Sequence, residues 1–570
     1  MKDPALLTRY RILAALGSAV AWWLAFPSWD LTVLAWVALV PLLWLLEEER
    51  NRLGYVLGAM TLAYALSCGW VYKAAWIGAI AGVLANALYA TLAMGLYRWL
   101  RLKAMPAGRS GPWLTWLFWV APWLAMEYVH QRIDLDFPWM LLGHAPANHP
   151  SWIQYYEWTG VGGGTLWLLS VNFWLFRVFQ SSARWRQHPQ RLVKTGTIAL
   201  LILTVPVLVS ERRYHTYSAT GPRITVAAVQ PNHDAYQVKF DESTYSEQCS
   251  TLVSLSESAT KASMVLWPET SVPGLCQKGP HADPNPLLQE VFRRHKVRNT
   301  QAWLLGASTL EWHANKSEAT PWARSVSGEQ GPYYTAYNTA FLLRPGARAA
   351  TTAWPSDFYH KSRLVIGVEK LPYPAFFKML STWISVDLGG MSGQLGRQEH
   401  AQPFAFTVAV PYKDLVRQSV PKDAAGLPAT LSVKVAPLIC YESIFGEYCG
   451  DFVREGANLL TVMTNDGWWG NTEGHRQHWA YARLRCIEYR RDLLRAANTG
   501  ISGIFNQKGE VVDSLGWDRR GLVQGKVQLH EELTFYARHG DYLGRLACVA
   551  TVLFVLMALV RGRMEGIRPV

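Results

Sequence analysis

Val435-Ala436-Pro437-Leu438-Ile439-Cys440-Tyr441-Glu442-Ser443 is an apolar run that stops abruptly on a thiol and a carboxylate. A short apolar run of this kind reads as a buried strand. The ends of strands are where α/β sheets gather reactive groups. Two other runs end the same way: Met264-Val265-Leu266-Trp267-Pro268 delivers Glu269, and Asp357-Phe358-Tyr359-His360 leads to Lys361. Around them, β-rich runs such as Ile224–Val229, Thr339–Leu343 and Leu459–Met463 alternate with turn signals and polar helical stretches. The longest helical candidate covers 473–496, opening after Asn471 and ending before Asn498-Thr499-Gly500. Alternating strands and helices predict a layered α/β domain over about 222–530.

On either side of this domain the texture changes. Long apolar runs near 12–27, 29–46, 53–72, 75–97, 112–129, 160–179, 195–209 and 541–560 each approach the roughly 20 residues that cross a bilayer as a helix. Hydrophobic residues make up 50% of the chain, charged ones 17%, and the mean hydropathy is +0.02. That middle value suits a mosaic of membrane spans and a hydrated domain. The expected organisation is a seven-span bundle over 1–209, a water-facing domain over 210–540, and an eighth span with its tail over 541–570. Seventeen Lys and Arg, among them Arg50, Arg101, Arg186 and Arg563, lie on one set of connections; the alternate set offers only Lys73 and Arg132. The positive-inside bias puts both termini in the cytoplasm and 210–540 in the periplasm of a bacterial inner membrane.

The net charge of +13 does not point to nucleic acid, because residues 1–209 carry +7 of it and 542–570 another +3. Seven cysteines are scattered without a CxxC pair or metal-type spacing. His475 and His478 are too few to hold a metal, and packing is the simpler reading for them. Arg483, Arg485, Arg490, Arg491 and Arg495 read as a mixture of core ion pairs and a solvated face. Residues 371–398, with Phe376, Phe377, Trp383 and the hinge glycines Gly389, Gly390 and Gly393, read either as a membrane-facing arm or as a helix packed on the sheet.

A thiol, an amine and a carboxylate suffice for nucleophilic acyl transfer: the thiol attacks, the carboxylate takes its proton, and the ammonium steadies the oxyanion. Each residue also has a plainer reading. A cysteine after an apolar strand is often just a small buried hydrophobe, Glu269 after a proline can cap a turn, and most lysines are solvated. Spacing alone does not decide between them.

The wording around these residues does. Trp267-Pro268-Glu269-Thr270, His360-Lys361-Ser362-Arg363-Leu364-Val365, Ile439-Cys440-Tyr441-Glu442 and Asn465-Asp466-Gly467-Trp468-Trp469-Gly470 resemble the nitrilase, or carbon–nitrogen hydrolase, superfamily. With the eight-span frame, the chain is similar to the apolipoprotein N-acyltransferase family. That resemblance implies a multi-span α-helical membrane bundle plus an α/β nitrilase-like αββα sandwich. Within it, Glu269 would be the general base, Lys361 the electrophilic stabiliser and Cys440 the nucleophile. Asn338, Glu369, Tyr441, Glu442 and Trp468 would support the site or border the lipid entrance. The implied partners are a phospholipid acyl donor, a diacylated apolipoprotein acceptor and membrane lipids; no cofactor, metal or nucleic acid is implied, and a monomer is expected. A membrane-tethered nitrilase-type amidohydrolase, with water as acceptor, is the alternative. Where many relatives read Leu-Val-Pro-Phe-Gly-Glu-Tyr-Val-Pro, this chain has Leu364-Val365-Ile366-Gly367-Val368-Glu369-Lys370-Leu371-Pro372. The glutamate keeps its register, but the glycine moves one place earlier.

Overall fold

The computed structural model describes residues 4–48, 50, 52–105, 111–183, 185–278, 286–297, 300–326, 332–345, 357–373, 394–411 and 428–567. The chain divides into two units, one of Met1–Tyr72, Trp76–Thr216 and His539–Val570, the other of Lys73–Ala75 and Tyr217–Arg538.

The first unit is helical: α1 Pro4–Ala25, α2 Val40–Glu47, α3 Leu53–Cys68, α4 Trp76–Ala104, α5 Pro112–His130, α6 Tyr156–Ser182, α7 Pro189–Thr216, and a C-terminal helix Tyr542–Ile567. Among the described residues, Leu53–Lys73, Trp76–Ala104, Pro189–Thr216 and Tyr542–Arg561 are long and apolar enough to cross a membrane. Leu200, Leu208, Leu546, Val549 and Leu553 stand exposed on the last two, as suits helices whose solvent is lipid.

The apolar run 29–46 is not one continuous helix. It forms a 3-10 turn, Thr32–Trp36, and then the eight residues of α2. Pro41 in the first turn of α2 has no N–H to carry a helix back through it. The backbone groups freed there find partners in the bundle. Asn172 of α6 accepts from Leu39 N–H at 2.8 Å and donates to the Ala35 carbonyl at 2.7 Å, and the Ser18 hydroxyl donates to the Ala38 carbonyl. Irregular backbone inside a membrane protein is tolerable only where protein satisfies it in this way. Glu127, buried in α5, is likewise satisfied by the Trp123 indole, the Leu142 N–H and the Thr165 hydroxyl.

The second unit holds two sheets. Its strands are β1 Arg223–Gln230, β2 Met264–Leu266, β3 Val272–Lys278, β4 Ala302–His313, β5 Arg324–Ser325, β6 Tyr333–Leu343, β7 Phe358–His360, β8 Phe404–Pro411, β9 Pro428–Ile439, β10 Leu459–Thr464, β11 Leu493–Ala497, β12 Ser502–Phe505, β13 Val511–Leu515 and β14 Gly521–Gln528. The first sheet runs β14-β1-β2-β4-β6-β5, with β3 along β4 and β7 along β6; the second runs β13-β12-β11-β10-β9-β8. Each has a parallel centre, β1-β2-β4 and β9-β10-β11, flanked by antiparallel strands. Parallel strands are covered on both faces and therefore read as continuous apolar runs, which is why Met264–Leu266 and Leu459–Thr464 are buried throughout.

The sheets pack on each other, β1 and β2 against β11 and β6 against β9. Helices α8 Tyr245–Ser258 and α9 Pro286–Val297 cover the first sheet, burying Leu252, Val253, Leu288 and Val291 against Val265, Trp267 and Trp303. Helices α10 Gly446–Arg454 and α11 Glu473–Tyr489 cover the second. The layering is α-β-β-α.

The helix expected over 473–496 stops at Tyr489. Arg490 takes a left-handed conformation, φ 50°, and donates its N–H to the Cys486 carbonyl, which closes the helix in the manner of a C-terminal cap. Leu493–Ala497, apolar enough to extend the helical pattern, is instead the fully buried strand β11. Of the expected arm at 371–398, residues 374–393 lie outside the described residues.

Candidate active site

The site forms where strands end. Glu269 follows β2 and is 5% exposed. Lys361 follows β7, and its backbone N–H donates to the carbonyl of Asn338 on β6 at 2.8 Å. The Lys361 ammonium, 1% exposed, lies 3.1 Å from Glu269 Oε1 and 2.9 Å from Glu369 Oε1. Asn338 Nδ2 bridges the same two oxygens, at 2.7 and 3.1 Å. The outer oxygens are held by backbone: Asn465 N–H donates to Glu269 Oε2 at 3.2 Å and Val365 N–H to Glu369 Oε2 at 2.9 Å. Burial disfavours the ammonium, but the charges of Glu269 and Glu369 outweigh it and hold Lys361 well above the usual lysine range.

The loop that presents Glu369 is a tight turn. Gly367 has φ 79°, its N–H donates to the Lys370 carbonyl at 2.8 Å, and Glu369 N–H donates to the Val365 carbonyl at 2.8 Å. The glycine displaced by one position stands where this turn needs a left-handed residue, and Glu369 still reaches Lys361.

Cys440 closes β9 and opens a 3-10 turn, Cys440–Ile444, with φ 50°. A side chain in that conformation costs about 1–3 kcal/mol, so the turn must be pinned from outside. The Ser443 hydroxyl donates to the Cys440 carbonyl at 2.8 Å, and His478 Nε2 lies 3.2 Å from the same oxygen. Strand β9 pairs with β10 as far as Ile439↔Met463, which sets Cys440 beside the strand end whose Asn465 holds Glu269. Burial first, and then the Glu269 charge, push the Cys440 thiol well above the usual cysteine range; the Lys361 ammonium opposes them. At neutral pH the sulfur is a thiol that needs a base, not a standing thiolate.

Glu442, fully buried, ties the Cys440 turn to the strand that precedes Lys361. Oε1 accepts from the Ser362 N–H at 2.6 Å and the Tyr359 hydroxyl at 2.5 Å, and Oε2 from Ile439 N–H at 2.8 Å. Burial, opposed by those hydrogen bonds, lifts its carboxyl from 4.5 to about 7. Because the folded value is the higher, the stability this group contributes is whole below pH 4.5 and is lost as the pH rises through 7. That amounts to about 3 kcal/mol at most. Denaturant unfolding of the full chain between pH 4.5 and 7 should show this slope, and Glu442→Gln should flatten it; an unchanged slope would contradict the assignment.

Trp468 sits in the turn after Asn465, stacked on Phe240 at 5.6 Å with Tyr236 edge-on at 5.3 Å. It borders a cavity of about 50 Å³ together with Glu269, Asn338 and Glu369. Tyr441 is buried with its ring edge-on to Phe445 at 5.1 Å.

Several site residues escaped sequence reading. Asp466 Oδ1 lies 3.0 Å from His478 Nδ1, and Oδ2 accepts from Arg495 at 2.6 Å, all three fully buried. Burial disfavours that carboxylate, yet Arg495 and His478 hold it far below the usual range. The trio props up the Cys440 carbonyl. Among the described residues no cluster of three metal-type ligands occurs. Arg485 pairs with Glu488 at 3.0 Å, Arg491 donates to the Ala457 and Glu532 carbonyls, and Arg490 lies over the Tyr217 ring. Only Arg483 of that cluster is half-buried, so it is an internal scaffold more than a solvated face. Runs of arginine look solvated in sequence because their buried carbonyl partners carry no sequence signal.

The carbon-nitrogen hydrolase family model matches residues 225–533, more than half of the chain and nearly all of the second unit. The chain belongs to the carbon–nitrogen hydrolase family. A second model, of the apolipoprotein N-acyltransferase N-terminal domain, matches residues 18–174 in the helical unit. The chain is also similar to apolipoprotein N-acyltransferases over most of its length. That of Chlorobaculum tepidum is 29% identical over 562 residues, 95% of this chain and 95% of that one. That of Geobacter metallireducens is 28% identical over 567 residues, 96% and 95% of the two chains. Among solved structures, Saccharomyces cerevisiae Nit3, of branch 10 of the nitrilase superfamily, is 15% identical with a TM-score of 0.33, covering 55% of this chain and 93% of that one. A carbon–nitrogen hydrolase unit joined to a helical unit of this kind sets this chain apart from a free-standing hydrolase.

Proposed function

We propose that the protein moves an acyl chain from a glycerophospholipid, through a thioester on Cys440, to the α-amino group of an N-terminal diacylglyceryl-cysteine on lipoproteins. The observation that carries this reading is the buried bridge of Lys361 between Glu269 and Glu369, 3.1 and 2.9 Å, beside a thiol raised by burial and the Glu269 charge. The full-length similarity to proteins named apolipoprotein N-acyltransferase supplies the substrate class.

In the first half-reaction Glu269 takes the Cys440 proton as sulfur attacks the ester carbonyl. Lys361 and the backbone N–H after Cys440 steady the oxyanion, each such donor being worth about 10²–10³ in rate. Collapse breaks the ester C–O bond, and the leaving lysophospholipid oxygen takes the proton from Glu269. In the second, the acceptor amine attacks the thioester and sulfur leaves. The amide is more stable than the thioester, so no ATP is needed. Residues 1–209 and 541–570 would tether the site in the inner membrane as eight spans, both termini cytoplasmic and 210–540 periplasmic. Tethering matters because both substrates are lipids.

Full-length protein in phosphatidylglycerol vesicles, given a diacylated lipopeptide, should yield triacylated lipopeptide and lysophospholipid in equal amounts. Free fatty acid in place of the amide would favour the membrane-tethered hydrolase. Gly306 offers a subtler check. A Cβ there would lie 2.3 Å from the Pro268 carbonyl oxygen and 2.8 Å from Glu269 Cα. Gly306→Ala should therefore shift Glu269 and slow transfer by about 10²-fold; wild-type rates would show that the position of this backbone does not matter.

A further inference from the structure

The cavity beside the carboxylates has walls that include Phe240, Leu395 and Trp468, and a polar floor of Glu269, Asn338 and Glu369. On that floor the Asn338 amide has only one sensible orientation. Its Nδ2 donates to Glu269 and to Glu369, and a flipped amide would press its oxygen against two carboxylates. Its Oδ1 therefore faces away from them. Asn338 is 2% exposed, and Oδ1 has no donor among the described residues. A buried acceptor left without a donor is costly, which makes it a sign of a missing partner. The floor is also close to charge balance: Lys361 bridges both carboxylates, and the buried ammonium of Lys239 feels the Glu269 charge. Such a floor suits a neutral N–H donor better than an ammonium ion.

We propose that this cavity docks the attacking amine of the acyl acceptor, with Asn338 Oδ1 accepting one of its two N–H hydrogens. The proposal rests on the acyl-transfer reading above and assigns the acceptor subsite within it. Held by that hydrogen, the nitrogen directs its lone pair at the thioester carbonyl. The C–N bond forms, the other amine proton passes to Glu269, the C–S bond breaks, and the Cys440 thiolate recovers its proton from Glu269. The hydrogen on Asn338 stays on nitrogen and becomes the N–H of the amide product. A phospholipid ester has no such hydrogen at its reacting carbonyl, so the first half-reaction makes no use of Oδ1.

The two half-reactions can be read separately on the full-length protein by intact-mass measurement. In Asn338→Ser, Lys361 still bridges the carboxylates. Acyl adduct formation from phosphatidylglycerol then measures what both half-reactions lose when the amide no longer donates to Glu269 and Glu369. Discharge of that adduct to a diacylated lipopeptide should slow by about tenfold or more beyond that shared loss, with a raised KM for the lipopeptide. Equal loss in both half-reactions, or loss in neither, would overturn the proposal. Should the variant fail to fold, wild-type protein decides the matter with two acceptor analogues as inhibitors, one with an α-hydroxyl and one with an α-methoxy in place of the amine. The hydroxyl compound, which has a hydrogen to donate, should bind about tenfold tighter or better; equal binding would overturn the proposal. Complete absence of an adduct in wild type would instead remove the acyl-transfer reading beneath it.

Discussion

Cys440→Ala should reduce acyl transfer by a factor on the order of 10⁴–10⁶, the range seen when a covalent nucleophile is lost from a site whose other groups remain. Folding should barely notice. The substitution keeps a β-carbon at the left-handed position, φ 50°, and removes only one buried sulfur, at a cost of about 1 kcal/mol. The pins on this turn, from Ser443 and His478, are made to the backbone carbonyl and survive it. Cys440→Ser is the sharper control, because shape is kept while a hydroxyl replaces the thiol. Glu269 would have to deprotonate a group far less acidic than sulfur, so the serine variant should be nearly as inactive. Rates measured with phospholipid and lipopeptide, beside thermal unfolding of each variant, test both halves of this expectation. Substantial transfer by the alanine variant would mean that the acyl group never rests on this sulfur.

Lys361→Met should be damaging in two separable ways. Glu269 and Glu369 share this one ammonium at 3.1 and 2.9 Å, and all three side chains are buried. Removing one member of a buried ionic cluster typically costs about 3–5 kcal/mol, because the remaining charges are left uncompensated. Activity should fall by about 10²–10³-fold from the lost oxyanion partner alone. The double variant Lys361→Met, Glu369→Gln separates the effects: it removes one uncompensated charge and should recover much of the stability, but none of the activity. Recovery of both together would mean that Lys361 only holds the fold.

The strand ends were legible because chemistry stands out where strand-like runs stop: Glu269 and Cys440 each follow an apolar one and Lys361 the short run Asp357-Phe358-Tyr359-His360, and the structure sets each where a strand ends. The eight apolar runs were equally plain, but one of them, 29–46, is broken at Pro41 and repaired by Asn172, a residue 131 positions on from Pro41 in the chain. No local pattern announces a repair of that kind. The same limit explains the helix drawn too long over 473–496. Leu493-Leu494 continues the apolar spacing of α11, and only pairing with β10, Leu460↔Leu493, makes it a strand. The supports of Cys440 were hidden for a third reason. His478, Asp466 and Arg495 act through one carbonyl oxygen and one another, so nothing in their spacing distinguishes them from core packing. Glu442 was visible beside the cysteine, but its hold on Ser362 and Tyr359, about 80 residues earlier, was not.

The most direct measurement is the intact mass of purified full-length protein after incubation with phosphatidylglycerol and no acceptor. A thioester on Cys440 predicts a gain equal to one acyl chain, removed by neutral hydroxylamine, mapped by proteolysis to the peptide containing Cys440, and lost on addition of diacylated lipopeptide. Unchanged mass under conditions where lipopeptide is nevertheless N-acylated would show that the acyl group passes from lipid to amine without ever being bound to this sulfur.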